Sequence, residues 1–271
     1  MQQESDVKVT LDSDDSISEI VPLLPEVRDV PVMRVFSWIN SGLSDTKQSG
    51  FASLFYGFCF AMAGWIMYFI FADAFALFAG LTTGFLLFSP FLAMGLYDLS
   101  RQMQTEKKPK LKLSLFVWLH NKGNIALFTG VLLLIFLIWS RASVVIFALF
   151  FEGGLPTFKG VILDVILLKQ PIFTLVYFAV GGLFAGLVFM VSVVAVPLMV
   201  DRKTDAVTAG LTSIMACIKN PIAMMVWAFF IVLFVSIGFL TGFAGLIVIM
   251  PIIGHATWHA YEDLVLKANA S

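Results

Sequence analysis

Of the 271 residues 59% are hydrophobic, 28 are Phe, and the mean hydropathy is +0.94. One water-soluble core cannot bury that much apolar surface, which excludes a soluble globular domain and makes the lipid bilayer the natural solvent. The net charge of −1 conceals an asymmetry: residues 1–29 hold eight acidic and two basic side chains, whereas residues 30–271 hold 15 basic and ten acidic.

Residues 1–30 are acidic, contain proline and lack helical periodicity, so they are expected to form a disordered cytoplasmic tail ahead of a transmembrane domain over 31–271. Neither a basic n-region nor an h-region precedes residue 51, so no cleaved signal peptide is expected and the first span serves as the insertion signal. In residues 32–48, Val32, Val35, Phe36, Ile39 and Leu43 recur at helical spacing beside Trp38, with Arg34 and Lys47 at the flanks, the pattern of an interfacial amphipathic helix. Six long apolar runs follow, at 51–72, 75–97, 124–150, 171–199, 221–238 and 240–260. Crossing about 30 Å of hydrocarbon takes about 20 apolar residues in a helix, and buried backbone in lipid must pair internally, so each run predicts a transmembrane helix. The fold class is therefore all-α, a polytopic membrane helical bundle. The connectors 111–122 and 204–219 are mixed in character and predict further amphipathic segments, and 155–170 predicts a helix lying on the outer surface.

Lys and Arg in the loops set orientation. With the N-terminus inside, twelve basic residues from Arg34 to Lys267 face the cytoplasm and only Arg141, Lys159 and Lys169 face outward, which places both termini in the cytoplasm. GFLLFSPFLAMGLYDLS (84–100) aligns without gaps to GLIVIMPIIGHATWHAY (245–261), matching Gly84 with Gly245 and Pro90 with Pro251, so three helical hairpins with pseudo-symmetry are expected. Gly80 with Gly84, and Gly182 with Gly186, form GxxxG pairs that predict close helix packing. Pro90, Pro197 and Pro251 each remove one helical hydrogen bond and predict kinks.

SLFYGFCFAMAG (53–64), SPFLAMGLYDLSRQ (89–102), DRKTDAVTAGLTSIMACIKNP (201–221) and MPIIGHATWHAYEDLV (250–265) together resemble the bacterial integral membrane proteins grouped as domain of unknown function 2189. The resemblance spans residues 32–267 and implies a multipass inner-membrane protein with no established activity, so it assigns no catalytic residue. A cytochrome c oxidase subunit I, to which such proteins are sometimes likened, needs more haem and copper ligands than three His supply.

Candidate chemistry gathers at the inner ends of the spans. His255, His259 and Glu262 are spaced by four and three and share a helix face, with His120 expected at a similar depth; such a set could ligate zinc or iron. The reading preferred here is structural: the two His cap the inner end of the last span, and Trp258 anchors that turn at the headgroups. Asp98, Arg101, Asp201, Arg202 and Glu262 collect at the inner ends of spans two, four and six and form a charged cytoplasmic vestibule if those helices adjoin. No catalytic residue, cofactor or nucleic-acid partner is expected; membrane lipids and other membrane proteins are the expected partners. Two cysteines, Cys59 and Cys217, give no disulfide framework.

Three function classes follow: a non-catalytic scaffold, assembly or partner-binding component; a permease or lipid-handling transporter; and a metal- or haem-binding protein using His255 and His259. A continuous polar cavity would favour transport, and a closed apolar bundle would favour scaffolding.

Overall fold

The computed structural model describes residues 24–73, 92–105, 108–150 and 170–266, without the side chains of 70–73. The helices in chain order are α1 (Arg34–Ser49), α2 (Phe51–Asp73), α3 (residues 92–104), a short α4 (Leu111–Ser114), α5 (Lys122–Phe150), α6 (Pro171–Ser192), α7 (Ala195–Asp201), α8 (Ala206–Lys219), α9 (Pro221–Leu240) and α10 (Leu246–Leu264). A 3₁₀ turn, Val117–Asn121, leads into α5. The fold is an all-α membrane bundle.

Four stretches are long and apolar enough to cross a membrane: 51–69, 111–150, 171–201 and 221–240. They contain the expected first, third, fourth and fifth spans. The second lies mostly outside the described residues, as do the outer helix expected at 155–170, the pair Gly80 and Gly84, and Pro90, on which the hairpin repeat turns. The sixth exists as α10 but is not among the four. Its C-terminal half carries His255, His259, Glu262 and Asp263, and most of its residues from Pro251 to Leu264 are buried.

α10 is the axis on which the N-terminal helices close. α1 lies along its C-terminal half and α2 along its N-terminal half, the chain turning between them at Gly50, whose φ of 52° is one that side chains resist. Two glycines make the approach possible. A Cβ on Gly42 would fall 2.5 Å from the Ile252 carbonyl oxygen, and one on Gly57 only 1.9 Å from that of Ile247. Ile247 is the residue whose carbonyl Pro251 leaves without its helical N–H, so α2 presents a bare position, Gly57, to the freed carbonyl.

The expected fourth span divides. The ladder breaks at Val193–Val194, where the Ser213 hydroxyl inserts, accepting from the Val194 N–H at 3.1 Å and donating to the Met190 carbonyl at 2.8 Å. Pro197 compounds the break, because its ring excludes the Val193 carbonyl four residues back. The piece beyond, α7, is buried from Ala195 to Val200.

Three local expectations are corrected. Residues 24–30, expected in the disordered tail, form a strap: Val27 pairs antiparallel with Val265, Lys219 Nζ donates to the Val27 carbonyl at 2.7 Å, and Asn220 brackets Arg28 and Val30. An acidic composition does not prevent pairing where an apolar residue such as Val27, 6% exposed, finds a covered edge. α1 is not a helix held by lipid alone. It buries Val35, Trp38, Gly42, Thr46 and Ser49 within the bundle and leaves only the stripe with Phe36 and Leu43 outward. Finally, Gly182 and Gly186 have nothing among the described residues within 4 Å of an added Cβ, so this GxxxG pair packs no helix there.

Candidate functional site: a polar clasp, a basic cleft and an apolar cavity

The i, i+4 spacing puts His255, His259 and Asp263 on one face of α10, and α1 meets that face with its own polar stripe, Arg34, Trp38, Asp45 and Ser49. At the open end Asp263 accepts two bonds from Arg34, at 2.9 and 2.6 Å, and one from the Trp38 indole at 2.7 Å. Deeper, His259 Nε2 lies 2.9 Å from Asp45 Oδ2, which also accepts from the Ser100 hydroxyl at 2.6 Å. His255, fully buried, has Ser100 Oγ at 2.7 Å from Nδ1 and Ser53 Oγ at 2.7 Å from Nε2. Ser53 continues to Ser49 on α1. The network ties α1, α2, α3 and α10 together.

Proton bookkeeping fixes the direction at Ser100, which has one hydroxyl hydrogen and gives it to Asp45, so it accepts from His255 Nδ1–H. Ser49 gives its own hydroxyl hydrogen to the Asp45 backbone carbonyl at 2.6 Å, which leaves the Ser53 hydrogen to serve Ser49 and His255 Nε2 between them. Burial disfavours a charged Asp45, but the hydrogen bonds from His259 and Ser100, helped by the two imidazoles, hold its carboxyl below the ordinary value.

Both ring nitrogens of His255 are engaged by serines. His259 faces Asp45 and, at 3.7 Å, Glu262, whose Oε2 also accepts from Gln104 at 2.5 Å. His120 sits elsewhere, with Nδ1 3.1 Å from the Val117 carbonyl, and does not join them. Among the described residues no three His, Cys, Asp or Glu are placed to hold a metal ion. Nor does the Ser53–His255 pair offer a nucleophile a substrate could reach, since both residues are 0% exposed. Trp258, expected at the headgroups, is 1% exposed, and its indole N–H has no partner among the described residues.

The C-terminal ends of α3, α7 and α10 adjoin. Arg101 spans from Asp98 at 2.5 Å to the Val200 carbonyl at 2.9 Å, and the Tyr261 hydroxyl donates to Asp201 at 2.6 Å. The five charged residues separate into three groups, however. Asp98 and Arg101 border a cleft of about 550 Å³ together with Gln102, Thr105, Lys108, Lys110 and His120. Asp201 and Arg202 form a knot with Tyr261 and the Leu266 carbonyl. Glu262 belongs to the clasp.

A second cavity, about 430 Å³, lies at the level of the spans. α5 contributes Leu132, Phe136 and Trp139, α6 contributes Gly181, Ala185 and Val188, and α3 contributes Ala93 and Tyr97. Ser192 and Thr257, also in its lining, give their hydroxyl hydrogens to their own helices, at 2.6 Å to Val188 and 2.8 Å to Ile253, so they add little polarity. Ala185 both lines the cavity and is exposed at the bundle surface, so the cavity communicates with the surroundings of the helices. Sequence reasoning did not anticipate this space, because aromatic and aliphatic residues on α5 and α6 read equally well as lipid-facing.

No curated protein and no solved structure matches the chain significantly. A family model described as "Predicted integral membrane protein (DUF2189)" matches residues 77–201, a narrower extent than the motifs implied: the one at 89–102 lies within it, those at 53–64 and 250–265 fall outside, and the one at 201–221 shares only its first residue. Over that stretch the chain is similar to the DUF2189 predicted integral membrane proteins, in agreement with the resemblance read from the sequence.

Proposed function

We propose that this protein is a non-catalytic, lipid-binding component of the bacterial inner membrane, with both termini in the cytoplasm. The observation that carries this reading is the apolar cavity of about 430 Å³ between α3, α5 and α6, open to the bundle surface at Ala185. Its size falls among ordinary ligand pockets, and its walls come from helices that meet lipid, so acyl chains are the apolar molecules that reach it. A permease for a polar solute would need a continuous polar path, and this lining is apolar along α5 and α6. The scaffold or assembly role expected first from the sequence draws no separate support from the geometry.

Native mass spectrometry of protein extracted in a mild detergent tests the reading. Wild type is expected to carry about one phospholipid per chain, and Ala185→Trp, which fills the cavity, to lose it. Wild type without bound lipid, or a variant that keeps it fully, would sink the proposal. Orientation is tested separately: a Cys at Lys203 should resist impermeant thiol reagents in intact cells and react after lysis. Native Cys217 adds little background, because burial pushes its thiol up to about 11.

A further inference from the structure

We propose that the cleft at the inner end of α3 binds the phosphate of an anionic lipid whose chain occupies the apolar cavity; the inference rests on the lipid-binding reading above and adds the headgroup class. Among the described residues the cleft has three cations on its wall, Arg101, Lys108 and Lys110, and one carboxylate, Asp98. That carboxylate is 3% exposed and already engaged, by Arg101 at 2.5 Å and by Gln102 at 2.7 Å. It cannot also neutralise the lysines, and among the described residues neither Lys108 nor Lys110 has an ion pair. The wall therefore presents excess positive charge toward an open volume of about 550 Å³.

The wall is also built. Gln102 reads in both directions: its amide donates to Asp98, and its carbonyl oxygen accepts the Lys110 backbone N–H at 2.7 Å. This bond ties the segment bearing the lysines to α3 and holds it over the cleft. Arg101 is fixed at a second point by the Val200 carbonyl at 2.9 Å. This frame holds the Arg101 guanidinium and the Lys110 backbone beside the cleft.

The placement supplies the second half of the argument. Ala93 and Tyr97 line the apolar cavity, while Arg101 and Thr105 line the cleft. These pairs lie eight residues apart on one helix, about 12 Å along its axis. An apolar pocket followed, one or two turns nearer the cytoplasmic rim, by a cluster of cations matches a molecule with a hydrocarbon chain and an anionic head. Basic pockets between spans on the cytoplasmic side recognise anionic headgroups in this way.

The test titrates full-length protein in a neutral detergent with phosphatidylglycerol, phosphatidylcholine or inorganic phosphate, and reads bound species by native mass spectrometry. Phosphatidylglycerol should bind at least tenfold more tightly than phosphatidylcholine. Lys108→Gln with Lys110→Gln should weaken phosphatidylglycerol binding by roughly 20-fold, at about fivefold per cation, and leave phosphatidylcholine unchanged. Equal binding of the two lipids, or a preference that survives the double substitution, overturns the headgroup assignment while the cavity reading stands. Inorganic phosphate binding as tightly as the lipid overturns it in favour of a free-anion site. Binding of no lipid at all removes both.

Discussion

The α1–α10 end of the molecule and the α5–α6 hairpin are held by different forces. Where α1 crosses α10, directional bonds from Arg34, Trp38, Asp45, Ser53 and Ser100 specify one geometry, and bare glycine backbone brings the helices into contact. α5 and α6 meet mainly through rings, Trp139 against Tyr177 and Phe184, and Phe147 against Phe173, with a long side-chain hydrogen bond from Ser143 to the Tyr177 hydroxyl at 3.2 Å and the cavity beside them. Dispersion contacts are many and undirected, so they tolerate a void or a guest, whereas a buried polar network left half satisfied is costly. The difference teaches where to look for rigidity and where for ligand.

The sharpest way to break this comparison is to add a methyl group at each end. Gly57→Ala drives a Cβ to within 1.9 Å of backbone at Ile247 and should cost on the order of 3 kcal/mol. Gly182→Ala meets nothing among the described residues and should be neutral or gain up to about 1 kcal/mol from helix propensity. Thermal melts in detergent compare the two, and equal effects would erase the distinction between the regions.

His255→Phe comes next. It keeps the volume but leaves the Ser53 and Ser100 hydroxyls without their partner in a buried site, for a loss of about 2–3 kcal/mol. An unchanged melting temperature would mean the network does not hold α1 to α10. Asp45 makes the same region acid-sensitive. Because its folded carboxyl lies below the ordinary Asp value of about 4, its contribution is fully present above that pH and is lost as pH falls through the lower, folded value. Melting temperature should therefore drop below about pH 4 in wild type and drop less in Asp45→Asn; parallel curves would contradict the assignment. The smallest expected effect is at α8, where the Asp205 side chain caps the helix by accepting from the Val207 and Thr208 N–H groups at 3.0 and 2.9 Å. Asp205→Ala should cost about 1 kcal/mol.

These regions also differ in how far the sequence foretold them. Run length and apolarity located four of the six expected spans, and the i, i+4 pair of His255 and His259 marked the polar face of α10. Their partners escaped because Asp45, Ser53 and Ser100 come from three other helices, and pairing across 155 to 214 positions leaves no local spacing to read. A signal did exist. Arg34, Trp38, Asp45 and Ser49 recur at helical spacing on α1, opposite the apolar stripe from which that helix was read as interfacial. Trp258 was assigned to the headgroups on residue type alone, but type does not distinguish a rim from a covered interior, and α10 is covered by α1 and α2. The adjoining C-terminal ends of α3, α7 and α10 were legible from charge placement; their division into cleft, knot and clasp depends on side-chain reach that spacing does not encode.

The central claim, that the looser half of the bundle holds a lipid chain, is tested most directly at Trp139, which lines the cavity. A variant keeping Trp139 as its only tryptophan, purified in detergent and titrated with phospholipid brominated along its acyl chains, should show fluorescence quenching that saturates at about one lipid per chain. Adding Ala185→Trp, with its own emission measured in a Trp139→Phe background, should abolish that saturable phase. Quenching that rises without saturation, or a saturable phase indifferent to the filled cavity, would contradict the account.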